Sequence, residues 1–118
     1  MTEYFIVANS FAAPFVSETS TKYVEAENPE AALTDFATGY KDSRFGLYAA
    51  MCYANADAFH KGARPLAKWL CNHEIEKERL TKDIGSFTYL GVGIGEFEIN
   101  GTRHVVPNPK DGRIVPLK

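Results

Sequence analysis

The chain has 118 residues, 45% hydrophobic and 24% charged, and its 13 Lys and Arg against 15 Asp and Glu give a formal charge of -2. That length suits one domain over 1–118, able to remove roughly two thirds of its unfolded surface from water, and the composition excludes a disordered or fibrous polymer. The charge argues against nonspecific nucleic-acid binding as the main task, and no segment approaches the ~20 apolar residues of a membrane span.

Two cysteines, Cys52 and Cys71, allow at most one bridge and do not form the spaced framework of a small secreted domain, so both are expected to be reduced. Met1, Thr2 and Glu3 lead in without a basic region or a long apolar run, so a signal peptide is not expected and the cytoplasm is the expected location. Charge is unevenly spread. Residues 1–40 hold one base, Lys22, against six acids, whereas bases lead between Lys41 and Lys82. Such asymmetry can mark an acidic and a basic face, although solvated surfaces that attract one another modestly show it too.

In chain order, Tyr4 to Asn9 is short and rich in aromatic and β-branched residues, which predicts a buried strand. Phe11 to Ser20, with Pro14 and a cluster of Ser and Thr, predicts a wide turn or loop. Thr21 to Glu27 alternates and predicts a strand with one wet face, antiparallel to the first. Asn28-Pro29-Glu30 is a helix start: Asn28 can accept from the free amides of the first turn, Pro29 needs no amide there, and Glu30 suits the positive end. Leu33, Phe36, Ala37 and Tyr40 then share a stripe, and Gly39 is the expected left-handed stop.

Lys41 to Gly46 reads as a polar turn. Leu47 to Ala54 could be a strand buried on both faces or an alanine-rich helix; its eight residues and the fresh helix start at Asn55 and Asp57 favour the strand. Ala58, Phe59 and His60 then lie in a first helical turn interrupted at Gly62. Pro65 is expected to restart that helix with Leu66, Trp69, Leu70 and His73 on one face, ending in a charged, exposed tail over Glu74 to Lys82. Ser86 to Leu90 and Glu96 to Ile99 alternate as strands, and Asn100-Gly101 between alternating runs predicts a hairpin returning over Thr102 to Val106. Arg113 to Val115 is a candidate short edge strand. The sum is an α+β fold, a mostly antiparallel sheet in the order β-β-α-β-α-β-β-β with two helical segments packed on it.

Cys52, His60, Cys71 and His73 are the right donors for zinc, but their spacing is not that of paired structural ligands, and two buried thiols acting as small hydrophobes is the plainer reading. A nucleophilic Cys52 or Cys71 activated by His60 or His73 and oriented by Asp57 is a second reading, although an apolar setting would disfavour the thiolate. Asp57 and His60, three apart at a helix start, could form an acid/base pair, or Asp57 could simply cap free amides. Gly91, Gly93 and Gly95 precede a strand rather than a helix, so a phosphate cradle lacks its dipole, and a glycine bend is expected. No catalytic residue, metal or cofactor is assigned.

Arg44, Lys61, Arg64 and Lys68, near Phe59 and Trp69, are the candidate partner-binding residues. Basic groups among aromatics suit single-stranded nucleic acid or a phosphorylated ligand, yet Trp69 sits on the stripe of Leu66 and Leu70 and is expected in the core. A non-enzymatic accessory or regulatory module that binds a protein partner is therefore the expected function; size and lack of motifs would also suit a phage or mobile-element protein that inhibits a host factor. The alternatives are a small enzyme using a Cys/His pair and a nucleic-acid or nucleotide binder working through Lys61 to Lys68.

Overall fold

A computed structural model describes residues 1–12, 16–39, 47–82, 88–90, 96–105 and 111–117. It is α+β. Strands β1 (Thr2–Ala12) and β2 (Val16–Ala26) form a long antiparallel hairpin, paired from Thr2 opposite Ala26 to Ala12 opposite Val16. The wide loop expected over Phe11 to Ser20 is thus mostly ladder. Ser and Thr pair adequately across a ribbon, so their clustering did not mark a break. Pro14 lies outside the described residues.

Helix α1 (Pro29–Thr38) starts as its sequence demands: the Oδ1 of Asn28 accepts from the Ala31 amide at 2.7 Å, with Pro29 in the first turn. It ends at Thr38, but Gly39 stays right-handed at φ -64° and donates its amide to the Phe36 carbonyl, so the expected left-handed stop is not used. Ala32 and Leu33 are buried and Phe36 and Ala37 half-buried; Tyr40 and the turn expected over Lys41 to Gly46 lie outside the described residues.

Strand β3 (Leu47–Tyr53) is the buried strand its length implied. Helix α2 (Ala56–His60) is capped by Asn55, whose Oδ1 accepts from the Ala58 amide at 2.8 Å. It ends in paired return bonds, from the Gly62 amide to the Phe59 carbonyl and from the Ala63 amide to the Ala58 carbonyl. Closing that motif needs a left-handed residue, which Gly62 supplies at φ 76°.

The helix expected to restart at Pro65 is not formed. Ala67–Cys71 is strand β4, and helix α3 (Asn72–Thr81) begins only after it. The reason lies in where β4 sits: antiparallel β3 flanks it on one side and β8 (Gly112–Val115) on the other. A strand buried on both faces has apolar residues at nearly every position, so Trp69, Leu70 and His73 also satisfied a helical spacing. The five-stranded sheet runs β2-β1-β3-β4-β8, all antiparallel between neighbours.

Strands β5 (Thr88–Tyr89), β6 (Glu96–Ile99) and β7 (Thr102–Val105) form a second, three-stranded sheet. Its β6–β7 turn carries Asn100 at φ 51° and Gly101 at φ 81°, the left-handed pair that matches strand twist in a two-residue hairpin. The glycine run 91–95 lies outside the described residues, and the next described element is strand β6.

Helix α1 packs across one face of the main sheet, against all five strands. Register places Ile6, Cys52 and Ala67 in one row on that face, and Ala8, Ala50, Trp69 and Ile114 in the next. These residues and Leu33 make one apolar cluster. Trp69 is therefore core, on the face away from the groove described below.

Candidate binding groove

The opposite face of the sheet is furnished in two parts. Near the hairpin, Phe5 lies between its cross-strand neighbours Tyr23 and Tyr53, its ring tilted against that of Tyr23, and Phe59 of α2 packs on the group, 5.2 Å from the Tyr53 ring and 6.0 Å from that of Phe5. Toward the β8 edge the described residues leave a gap over the sheet. There a groove of about 660 Å³ runs between the segment after α2, the strands β4 and β8, and helix α3.

Register explains its lining. Met51, Lys68 and Val115 are cross-strand neighbours in one row, and Leu70 pairs with Arg113 in the next, so cations and apolar groups alternate across the floor. Arg64 and Pro65 close one end, Ile75 and Glu78 of α3 overhang one wall, and Leu117 follows β8 along the other. Arg64, Lys68 and Arg113 make no ion pair with any described residue. Among the described lining residues Glu78 is the one acid, which leaves the groove with a positive excess of two (three cations less one anion).

Two of the four sequence candidates, Arg64 and Lys68, thus meet in one groove, joined by Arg113, whose local sequence marks only a short edge strand. Arg113 lies 45 positions beyond Lys68 in the chain, and only the β4–β8 ladder sets them diagonally together. Lys61 lies on the α2 side, where it pairs with Asp57 at 2.9 Å, both side chains largely exposed. Arg44 lies outside the described residues.

The sulfur and imidazole candidates are dispersed. Cys52 and Cys71 are fully buried and reduced, Cys52 within β3 and Cys71 at the start of α3. Burial pushes the Cys52 thiol up to about 11, with the Glu30 carboxylate adding to the effect. Burial also pushes Cys71 up to about 11, against the pull of the Glu74 and His73 amides. Both are neutral thiols at pH 7, not thiolates.

His60 is exposed on α2 against the Phe59 ring, and its expected acid, Asp57, is engaged by Lys61. Asn55, not Asp57, caps α2. His73 is fully buried at the start of α3, edge-on to Phe97, whose other side stacks on His104. The ring sequence His73–Phe97–His104 docks the second sheet on α3. Beside it, burial opposes ionisation of Glu74, but His73 and Lys77 prevail and hold its carboxyl below the usual carboxylate range.

Among the described residues, no three His, Cys, Asp or Glu side chains gather as metal ligands would, and no helix is long and apolar enough to cross a membrane. Compared with protein-family models, curated proteins and solved structures, the chain matches none of them.

Proposed function

We propose that the chain is a small non-enzymatic accessory or regulatory module that binds a protein partner through the groove between β4, β8 and α3. The observation that carries this reading is the lining itself: three cations without ion pairs to described residues, set among the half-buried Met51, Ile75 and Val115, beside the buried Leu70. Apolar surface supplies most of the driving force for association, and unpaired charges supply partner choice and encounter rate. A partner with acidic and apolar side chains would satisfy both. Inhibition of a host factor by a phage or mobile-element protein is one form such binding would take.

A nucleic-acid binder fits the groove less well. Single strands want aromatic platforms among the cations, yet Trp69 is buried on the other face of the sheet and Glu78 would face the phosphates. A thiol enzyme fits less well again, since both sulfurs are sealed in the neutral form.

The test compares affinity capture from the source cells by the wild-type chain and by Lys68→Glu, with circular dichroism to confirm folding. Under this reading, proteins held by the wild type are lost from the variant, at a salt-sensitive boundary. Equal recovery by both would reject the groove as the binding surface.

A further inference from the structure

Building on the groove reading above, we infer that the partner segment is an acidic, extended strand that adds to the β8 edge of the five-stranded sheet. Among the described residues, strand β8 is the last in the order β2-β1-β3-β4-β8, and its groove-facing residues are Arg113 and Val115. An added strand would place its own alternate side chains over that face, two residues apart. One would stand beside Arg113 and the next beside Val115, with Leu117 continuing the row.

Charge and polarity then dictate the segment. Beside Arg113, with Lys68 one strand further in, an acidic side chain is favoured; beside Val115 and Leu117, apolar ones are. The groove-facing pattern is acidic, spacer, apolar, spacer, apolar. A strand edge supplies affinity through backbone bonds to any extended chain, whereas this alternation of cation and apolar group supplies the choice. A helix laid in the groove would present its side chains at three- and four-residue spacing and would not match the two-residue step of β8. The sequence Lys68, Leu70, Arg113, Val115 is thus read as a template for a strand.

The probe is a fluorescein-labelled peptide with Glu, Val and Val at alternate positions and Thr as spacers, made in both chain directions and titrated with the full chain by fluorescence anisotropy. Two further versions carry N-methyl groups on one or the other alternate set of amides, because only one set faces the sheet edge in an added strand. The expected result is binding by at least one direction, abolished by methylation of one set and kept with the other. Arg113→Glu should weaken it by about tenfold or more, as should raising salt, which shortens the screening length from ~10 Å toward ~3 Å.

Equal binding by both methylated versions, with the Arg113→Glu loss retained, would overturn strand addition while leaving the groove as the binding surface. Absence of peptide binding, with Lys68→Glu still losing partners in the capture experiment, would do the same. No peptide binding together with unchanged capture would overturn both readings. Displacement of the peptide by single-stranded oligothymidylate would replace the acidic strand by nucleic acid. Self-association in sedimentation, lost in Arg113→Glu, would replace it by a second copy of the chain.

Discussion

The two faces of the five-stranded sheet use the same alternating backbone for opposite ends. Toward α1, the rows Ile6, Cys52, Ala67 and Ala8, Ala50, Trp69, Ile114 are sealed by a helix anchored on Leu33, and even the sulfurs there are at zero exposure. Away from α1, the rows Met51, Lys68, Val115 and Leu70, Arg113 alternate cation with apolar group and, with Leu70 buried, line the groove that the described residues leave near β8. Buried cations would cost several kcal/mol each without partners, so the second face could not have served as core. The contrast is between a side that α1 seals along its whole width and a side whose buried residues, Phe5, Tyr53 and Leu70, give way to cations near β8, where the proposed groove lies. Substitutions in the sealed rows and at the groove cations should therefore separate cleanly.

The largest separation is expected at Trp69. Trp69→Ala empties the centre of the sealed face and should cost about 3–5 kcal/mol in denaturant unfolding, whereas Lys68→Glu, its neighbour in the chain, should change stability by about 0.5 kcal/mol or less. Comparable losses from both would break the division. Next is Gly112, which lies beneath the Trp69 indole. A Cβ there would stand 2.2 Å from the Leu70 carbonyl oxygen and 2.4 Å from Trp69 Cζ2, so backbone must move. Gly112→Ala should lower stability by about 1–3 kcal/mol and loosen β8 from β4, lowering hydrogen-exchange protection there first.

The sealed thiols predict an alkaline limit. Unfolded cysteines ionise near pH 9, the folded ones near 11, so the unfolded chain releases protons first. Their contribution is whole below about pH 9 and is lost as pH rises toward 11. Stability curves of wild type and of a chain carrying Cys52→Ala and Cys71→Ala should converge over that interval, and parallel curves would show that the thiols are not sealed. On the acid side, the lowered carboxyl of Glu74 contributes above its ordinary range and is lost as pH falls through its folded value. Glu74→Gln should flatten that loss, read as a smaller drop in melting temperature below pH 4.5, the ordinary value.

The smallest effect tests a local device at the hairpin end of the second face. Asn55→Ala removes the oxygen that accepts from the Ala58 amide and should cost roughly 1 kcal/mol. Through Phe59 it should also disturb the Phe5, Tyr23 and Tyr53 ring cluster, seen as a change in near-ultraviolet circular dichroism.

Much of the fold was legible where neighbours in sequence decide it. Asn28 with Pro29, Asn55 with Gly62, and Asn100 with Gly101 each set a boundary through bonds or dihedrals that span a few residues, and each boundary stands where the residues placed it. Leu47–Tyr53 was legible as a strand from length and the helix start behind it. Ala67–Cys71 was not, because five residues flanked on both edges, with Lys68 the one position not buried, show too little alternation to distinguish a strand from a helix. Of the groove, the cations at Arg64 and Lys68 were visible as a local cluster. Arg113 was not, since nothing local links it to them; Trp69 is core as expected, but not through the stripe that suggested it, since Leu66 is exposed and Leu70 lies on the groove face.

From the residues alone came the α+β class, the helix start at Asn28, the hairpin turn and the neutral character of the buried thiols, all consequences of short-range sterics and hydrophobicity. Only the tertiary structure decided that β4 is a strand, that β8 lies beside it, and that Lys68 and Arg113 share one open face. Pairing between strands far apart in the chain depends on which backbone edges remain unsatisfied after the local elements form, and no stretch of sequence read by itself contains that information.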